Sequence, residues 1–187
     1  MSLEPTPSQT IGPFFHYALL EEDLSELVAP NHPDAVRIEG VIFDGAGDIV
    51  PDAMVEIWQA NSAGRYNHPE DDREDKPLDE DFTGFGRVGT DEEGEFSFVT
   101  VKPGAVPGPD GSTQAPHILV SIFARGLLKR LATRIYFPDE EEANVDDPVL
   151  ASVDEDLRPT LIARETDRGL RFDIYLQGDK QTAFFDV

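Results

Sequence analysis

A chain of 187 residues with 15 Lys and Arg against 38 Asp and Glu carries a net charge of −23, a field that repels nucleic acid and anionic lipid and argues against both as partners. The length suits one domain, able to bury about 70% of the surface of its unfolded chain without covalent staples. Having no Cys, the chain excludes disulfides and thiolate metal sites together, while 12 Phe, 4 Tyr and 1 Trp argue against disorder despite the charge.

The first residues, MSLEPTPSQTIGPFF, have neither the basic start nor the apolar centre of a signal peptide. Apolar runs such as ILV and VIF fall far short of the roughly 20 residues that span a bilayer. The expectation is an unprocessed cytoplasmic protein without a membrane partner. Leu20, Leu24 and Leu27 in segment 18–28 stand at helical spacing beside a Pro-rich arm. VRIEGVIFD (36–44) alternates as a strand and stops at the turn DGAGD. AMVEIWQA (53–60) alternates again, placing Val55 and Ile57 on one face and Met54, Glu56 and Trp58 on the other. An acidic excursion occupies 67–81, and EFSFVTV (95–101) reads as a strand. KPGAVPGPDG (102–111) reads as a loop closed to strand and helix alike. Strands are expected at 117–124, 132–137 and 171–177, TAFFDV (182–187) offers a seventh, and Asp then Pro in 146–152 suits a short helix start. Short strands, frequent Gly/Pro turns and sparse helix give an all-β fold: an antiparallel β-sandwich with few short helices and an extended N-terminal arm. The expected organisation is a single domain over 1–187, with 1–35 forming the arm and a partner-contacting segment.

Common catalytic signatures are missing. No Gly-rich phosphate loop, G-x-S-x-G elbow or Cys nucleophile occurs. The acidic runs DEDFTG and DEEGE lack calcium-loop spacing and read as turns. The four His are 16, 32, 68 and 117. Two His at i and i+2 on one strand would aim both imidazoles at one point, but Leu119 stands where the partner of His117 would be. On spacing alone His117 fits a satisfied, partly buried histidine, and Tyr66 a turn-flanking aromatic. Arg125 ends an apolar strand just before Gly126. That position suits either a solvated strand-end cation or a guanidinium able to grip a carboxylate through two hydrogen bonds.

Several stretches, in order along nearly the whole chain, resemble the intradiol ring-cleavage dioxygenases: TPSQTIGPFFH (6–16), VEIWQANSAGRY (55–66), DFTGFGR (81–87), FVTVKPG (98–104), APHILVSIFARG (115–126), TRIYF (133–137) and RFDIYLQGDKQTAFFDV. The resemblance implies a β-sandwich in which catalytic chains hold a non-haem ferric ion with two Tyr and two His. Those ligand positions fall on Glu74, Val106, His117 and Leu119 of this chain. One neutral imidazole with Leu and Val beside it does not suit a hard ferric ion, so the resemblance implies no metal ligands here. It implies instead an alpha-type chain, inactive alone, paired with a beta chain that carries the Fe(III). The ring of a small aromatic acid would then open with O2 between its two hydroxyl-bearing carbons. Substrate contacts implied for this chain are Thr10, Gly12 and Pro13 of the arm together with Arg125. Two other readings stand beside this one. One is a stand-alone, transthyretin-like β-sandwich binding module; the other is a self-sufficient enzyme with an unusual ligand set drawn from Tyr66, His68, Glu74 and His117.

Overall fold

The computed structural model describes residues 8–186. Two sheets face each other. The first is built on β1 (Ala35–Phe43), whose residues 39–42 are all buried. Along one side β1 pairs antiparallel with β4 (Glu95–Val101). Along the other it pairs in parallel with two short strands in succession, β10 (Gly169–Arg171) at Ile38 and β11 (Ile174–Tyr175) at Ile42. β9 (Arg164–Thr166) closes that edge. The second sheet is antiparallel throughout, in the order β3 (Phe85–Gly89), β2 (Met54–Trp58), β7 (His117–Phe123), β8 (Leu131–Tyr136).

Alternation along each strand decides what enters the core. Ile38, Ile42, Phe96 and Phe98 of the first sheet meet Val55, Ile57, Ile118, Val120, Ile122 and Ile135 of the second. Burying each such side chain contributes about 1.5–3 kcal/mol, so this interlayer holds the sandwich. The remaining alternate residues of the second sheet, among them Trp58, His117, Leu119 and Arg134, therefore lie on its outer face.

Several local expectations are corrected. Helix covers only the first two residues of segment 18–28; α1 is Pro13–Leu19. Beyond it the Asp23 carboxylate accepts the Ser25 N–H at 2.9 Å, a local bond that competes with helix formation. Leu24 and Glu26 make isolated bridges to Arg87 and Val99. The 102–111 loop does contain structure: β5 (Val106–Pro107) pairs with β6 (Thr113–Gln114) across a 3₁₀ turn at Pro109–Gly111. The 171–177 run is interrupted at Asp173, whose carboxylate instead accepts the Val41 N–H and an Arg171 N–H. Neither β3, whose two Gly blur the alternation, nor α2 (Glu141–Asp146) was anticipated. α3 (Pro148–Ala151) does start at the Asp-Pro pair, with Asp147 accepting the Val149 and Leu150 N–H groups. The tail contributes one bridge, Phe185 to Ala132; residues 1–7 of the arm and Val187 lie outside the described residues. Among the described residues no helix is long and apolar enough to cross a membrane.

Candidate functional site

Strand register assembles the outer face of the second sheet row by row. Phe85, Trp58, Leu119 and Arg134 are direct cross-strand partners, one from each strand, so neighbouring side chains stand about 5 Å apart at Cβ. Arg87, Glu56, Ser121 and Ala132 form the next row. His117 sits two residues before Leu119, opposite Tyr136. The sequence placed His117 and Leu119 on one face, and the pleat puts them there.

This face does not assemble a ferric site. His117 is buried, and its Nδ1–H donates to the Ala115 carbonyl at 2.7 Å. Burial, reinforced by the nearby Arg134 charge, pushes its pKa down to about 4. Leu119 and Val106 offer no donor atom. Glu74 is exposed in the 67–81 excursion. The alternative set fares no better as a chelate. Tyr66 stacks on Trp58 at 5.9 Å between ring centroids, and His68 stands edge-on to Trp58 at 6.3 Å. Both line a hollow of about 620 Å³ with Val106, while Glu74 and His117 do not. Burial holds the Tyr66 phenol above its ordinary pKa, the opposite of what a phenolate ligand needs. Among the described residues no group of three or more His, Cys, Asp and Glu could hold a metal ion. The donor set present does not fit the iron implied by the sequence resemblance.

At the far end of β7 the arm folds back onto the strand. Phe15 of α1 packs against Phe123 at 5.7 Å. Gly126, at φ +92°, turns the chain immediately after Arg125 in a conformation that side-chain-bearing residues seldom adopt. The Gly126 N–H donates to Thr10 Oγ1 at 2.8 Å, tying the arm to this turn. Gly12, Pro13 and Arg125 then line one cavity of about 290 Å³ together with Ile11, Tyr17 and Asp52. Thr10 is therefore a clamp at the cavity's edge, whereas Gly12 and Pro13 face it. Arg125 remains 77% exposed, with its Nε 3.0 Å from an Asp52 carboxylate oxygen. That contact fixes one edge of the guanidinium and leaves the Nη1/Nη2 fork for another carboxylate.

Asp52 and Arg134 do not stand out in the sequence. Asp52 sits in the turn before β2 and meets Arg125 only through the fold; Arg134 meets Leu119 only through the β7–β8 register. An Arg inside an otherwise apolar strand pattern, ATRIYF, was the one available signal.

A family model described as Dioxygenase matches residues 12–178. The chain is 42% identical over 203 aligned positions to the protocatechuate 3,4-dioxygenase alpha chain of Burkholderia cepacia, covering 100% of this chain and 99% of that one. It is 38% identical over 176 positions to the beta chain of the enzyme of that name from the same organism, covering 87% of this chain and 74% of that one. Among solved structures, the dioxygenase domain of a carbohydrate-binding fusion from Streptomyces sp. SirexAA-E superposes with a TM-score of 0.58, covering 96% of this chain and 100% of that one. At 24% identity that likeness speaks to the fold.

Proposed function

This chain belongs to the intradiol ring-cleaving dioxygenase family, and we propose that it serves there as the alpha, non-iron-binding chain of a protocatechuate 3,4-dioxygenase. The family implies non-haem iron; in this reading the Fe(III) is held by the beta chain, a reading supported by the lack of a fitting donor set among the described residues of this chain. The assembled enzyme cleaves 3,4-dihydroxybenzoate with O2 to 3-carboxy-cis,cis-muconate. Similarity to alpha and beta chains alike fits two copies of one ancestral sandwich, and the end-to-end match to the alpha chain supports that assignment.

The observation that carries this reading is the convergence of the arm on Arg125: Gly12, Pro13 and Arg125 around one cavity, with Thr10 latched to Gly126. Arg125 grips the substrate carboxylate with the fork that Asp52 leaves free. The arm supplies the apolar side of the cavity through Ile11 and Pro13. Fixing the carboxylate orients the ring for the reaction at the partner's centre, an effect of positioning rather than of bond making. Residues 1–187 act as one unit in which 1–35 is the partner-contacting segment, and the enzyme is cytoplasmic.

The test is iron content and protocatechuate turnover for this chain purified alone and co-purified with its beta chain. Iron and activity confined to the mixed complex are expected. Stoichiometric iron and activity in the lone chain would overturn the reading and redirect attention to Tyr66, His68 and Glu74. Failure to associate with any beta chain would leave the binding module as the better account.

A further inference from the structure

The row Phe85–Trp58–Leu119–Arg134 floors a second hollow of about 620 Å³, walled by Arg130, Val149 and Phe185. It shares no lining residue with the Arg125 cavity. In a chain with 38 acidic residues, seven Arg (37, 73, 87, 125, 164, 168, 171) pair with carboxylates among the described residues. Arg130 and Arg134 do not, and neither do Arg65 and Arg158, which donate to backbone carbonyls away from this hollow. Arg130 Nη1 donates to Ser121 Oγ at 3.0 Å; Arg134 Nη1 donates to Gln114 Oε1 at 2.8 Å and lies 3.3 Å from the Tyr136 hydroxyl. Neutral oxygens therefore hold both guanidinium groups in place without a direct carboxylate partner; behind Arg134 the Tyr136 hydroxyl donates on to the buried Asp147 at 3.0 Å. Glu56, the one acid on the wall, is engaged by Arg87 at 2.8 Å.

The rest of the wall is largely apolar and carries three aromatic rings, with Arg134 itself lying over Phe185 at 5.8 Å. Such a hollow is of a size that holds a small molecule. A half-buried Arg134 with an exposed Arg130 at the rim, neither paired with a carboxylate, favours an anion, and flat apolar walls favour a ring. We propose that this hollow is a second, metal-free site for a small aromatic carboxylate. The carboxylate pairs with Arg134 and Arg130, and the ring rests against Trp58 and Leu119.

The test uses the complex of this chain with its beta chain and 4-bromobenzoate as probe. Expected are a bromine anomalous peak beside Trp58 in crystals and, in calorimetry, a class of sites weakened tenfold or more by Arg130→Gln and by Arg134→Gln but untouched by Arg125→Ala. The converse pattern, loss with Arg125→Ala alone, overturns this site while leaving the substrate assignment of Arg125 intact. Should Arg134→Gln fail to assemble, the exposed Arg130 carries the test by itself. Adipate should bind at least tenfold more weakly than the probe; equal binding overturns the aromatic assignment. A hollow filled by a segment of the beta chain, or density in crystals with no matching site in solution, overturns the proposal outright.

Discussion

Replacing Arg125 with Ala isolates the contribution of one guanidinium to substrate recognition. Because its Nε already contacts Asp52 at 3.0 Å, only the Nη edge is free for a carboxylate. Hydrogen bonds to charged groups contribute about 1.5–3 kcal/mol. Asp52 offsets part of the cationic charge, so about 2 kcal/mol is the apt figure, or roughly 30-fold in kcat/KM at 1.36 kcal/mol per decade. The side chain is 77% exposed, and exposed ion pairs contribute at most about 1 kcal/mol to stability, so the complex should melt within a few degrees of wild type. The assay is kcat/KM of the alpha–beta complex for protocatechuate and for catechol, which lacks the carboxylate. Protocatechuate should lose roughly 30-fold, catechol less than about threefold, and Arg125→Lys should recover part of the loss as a point charge without the fork. Equal losses on the two substrates would refute the reasoning, because the Arg would then be supporting the pocket rather than reading the carboxylate.

Three further outcomes follow from named contacts. His117 has its pKa lowered from 6.5 to about 4. Below pH 6.5 the unfolded chain takes up a proton that the folded chain refuses, so stability falls as pH drops from 6.5 toward 4. His117→Gln should flatten that slope by about 2 kcal/mol between pH 7 and pH 5, read from urea midpoints; an unchanged slope removes His117 as its cause. Asp147 is fully buried and accepts from the Ala115, Val149 and Leu150 N–H groups and the Tyr136 hydroxyl. Asp147→Ala strands these donors and should cost about 3–5 kcal/mol in urea unfolding, with a loss under 1 kcal/mol contradicting the assigned role. Thr10→Val keeps the side-chain shape but removes the acceptor for the Gly126 N–H. Amide exchange at Gly126 should rise roughly fivefold, as for a hydrogen bond of about 1 kcal/mol; unaltered protection would mean the arm is held by other contacts.

The parts of the fold that could be read in one dimension are those governed by strand alternation. β1, β2, β4, β7 and β8 match expected runs because burial on one face imposes a period of two. Where a local side-chain bond or a Gly competes, as at Asp23 or within FGRVG, the pattern misleads or fades. The site divides in the same way. That His117 and Leu119 share a face is a fact about one strand, and Arg125 at a strand mouth is likewise local. The Thr10–Gly126 bond spans 116 residues, and the Asp52–Arg125 and Leu119–Arg134 pairings come from chain segments that meet only on folding. Such juxtapositions follow from register, which no single stretch of sequence encodes.

The pleat of β7 has a wider consequence. Its even-numbered residues, Ile118, Val120 and Ile122, belong to the interlayer, while its odd-numbered residues face outward. The strand thus carries two independent messages on one tape, architecture on one track and chemistry on the other. A substitution such as leucine at position 119 rewrites the second track without touching the first. A sandwich of this kind can change its outward-facing donor atoms and surface charges while its scaffold stays unperturbed. Duplicated copies of such a sandwich are therefore free to specialise, one keeping the reaction and the other shaping what reaches it.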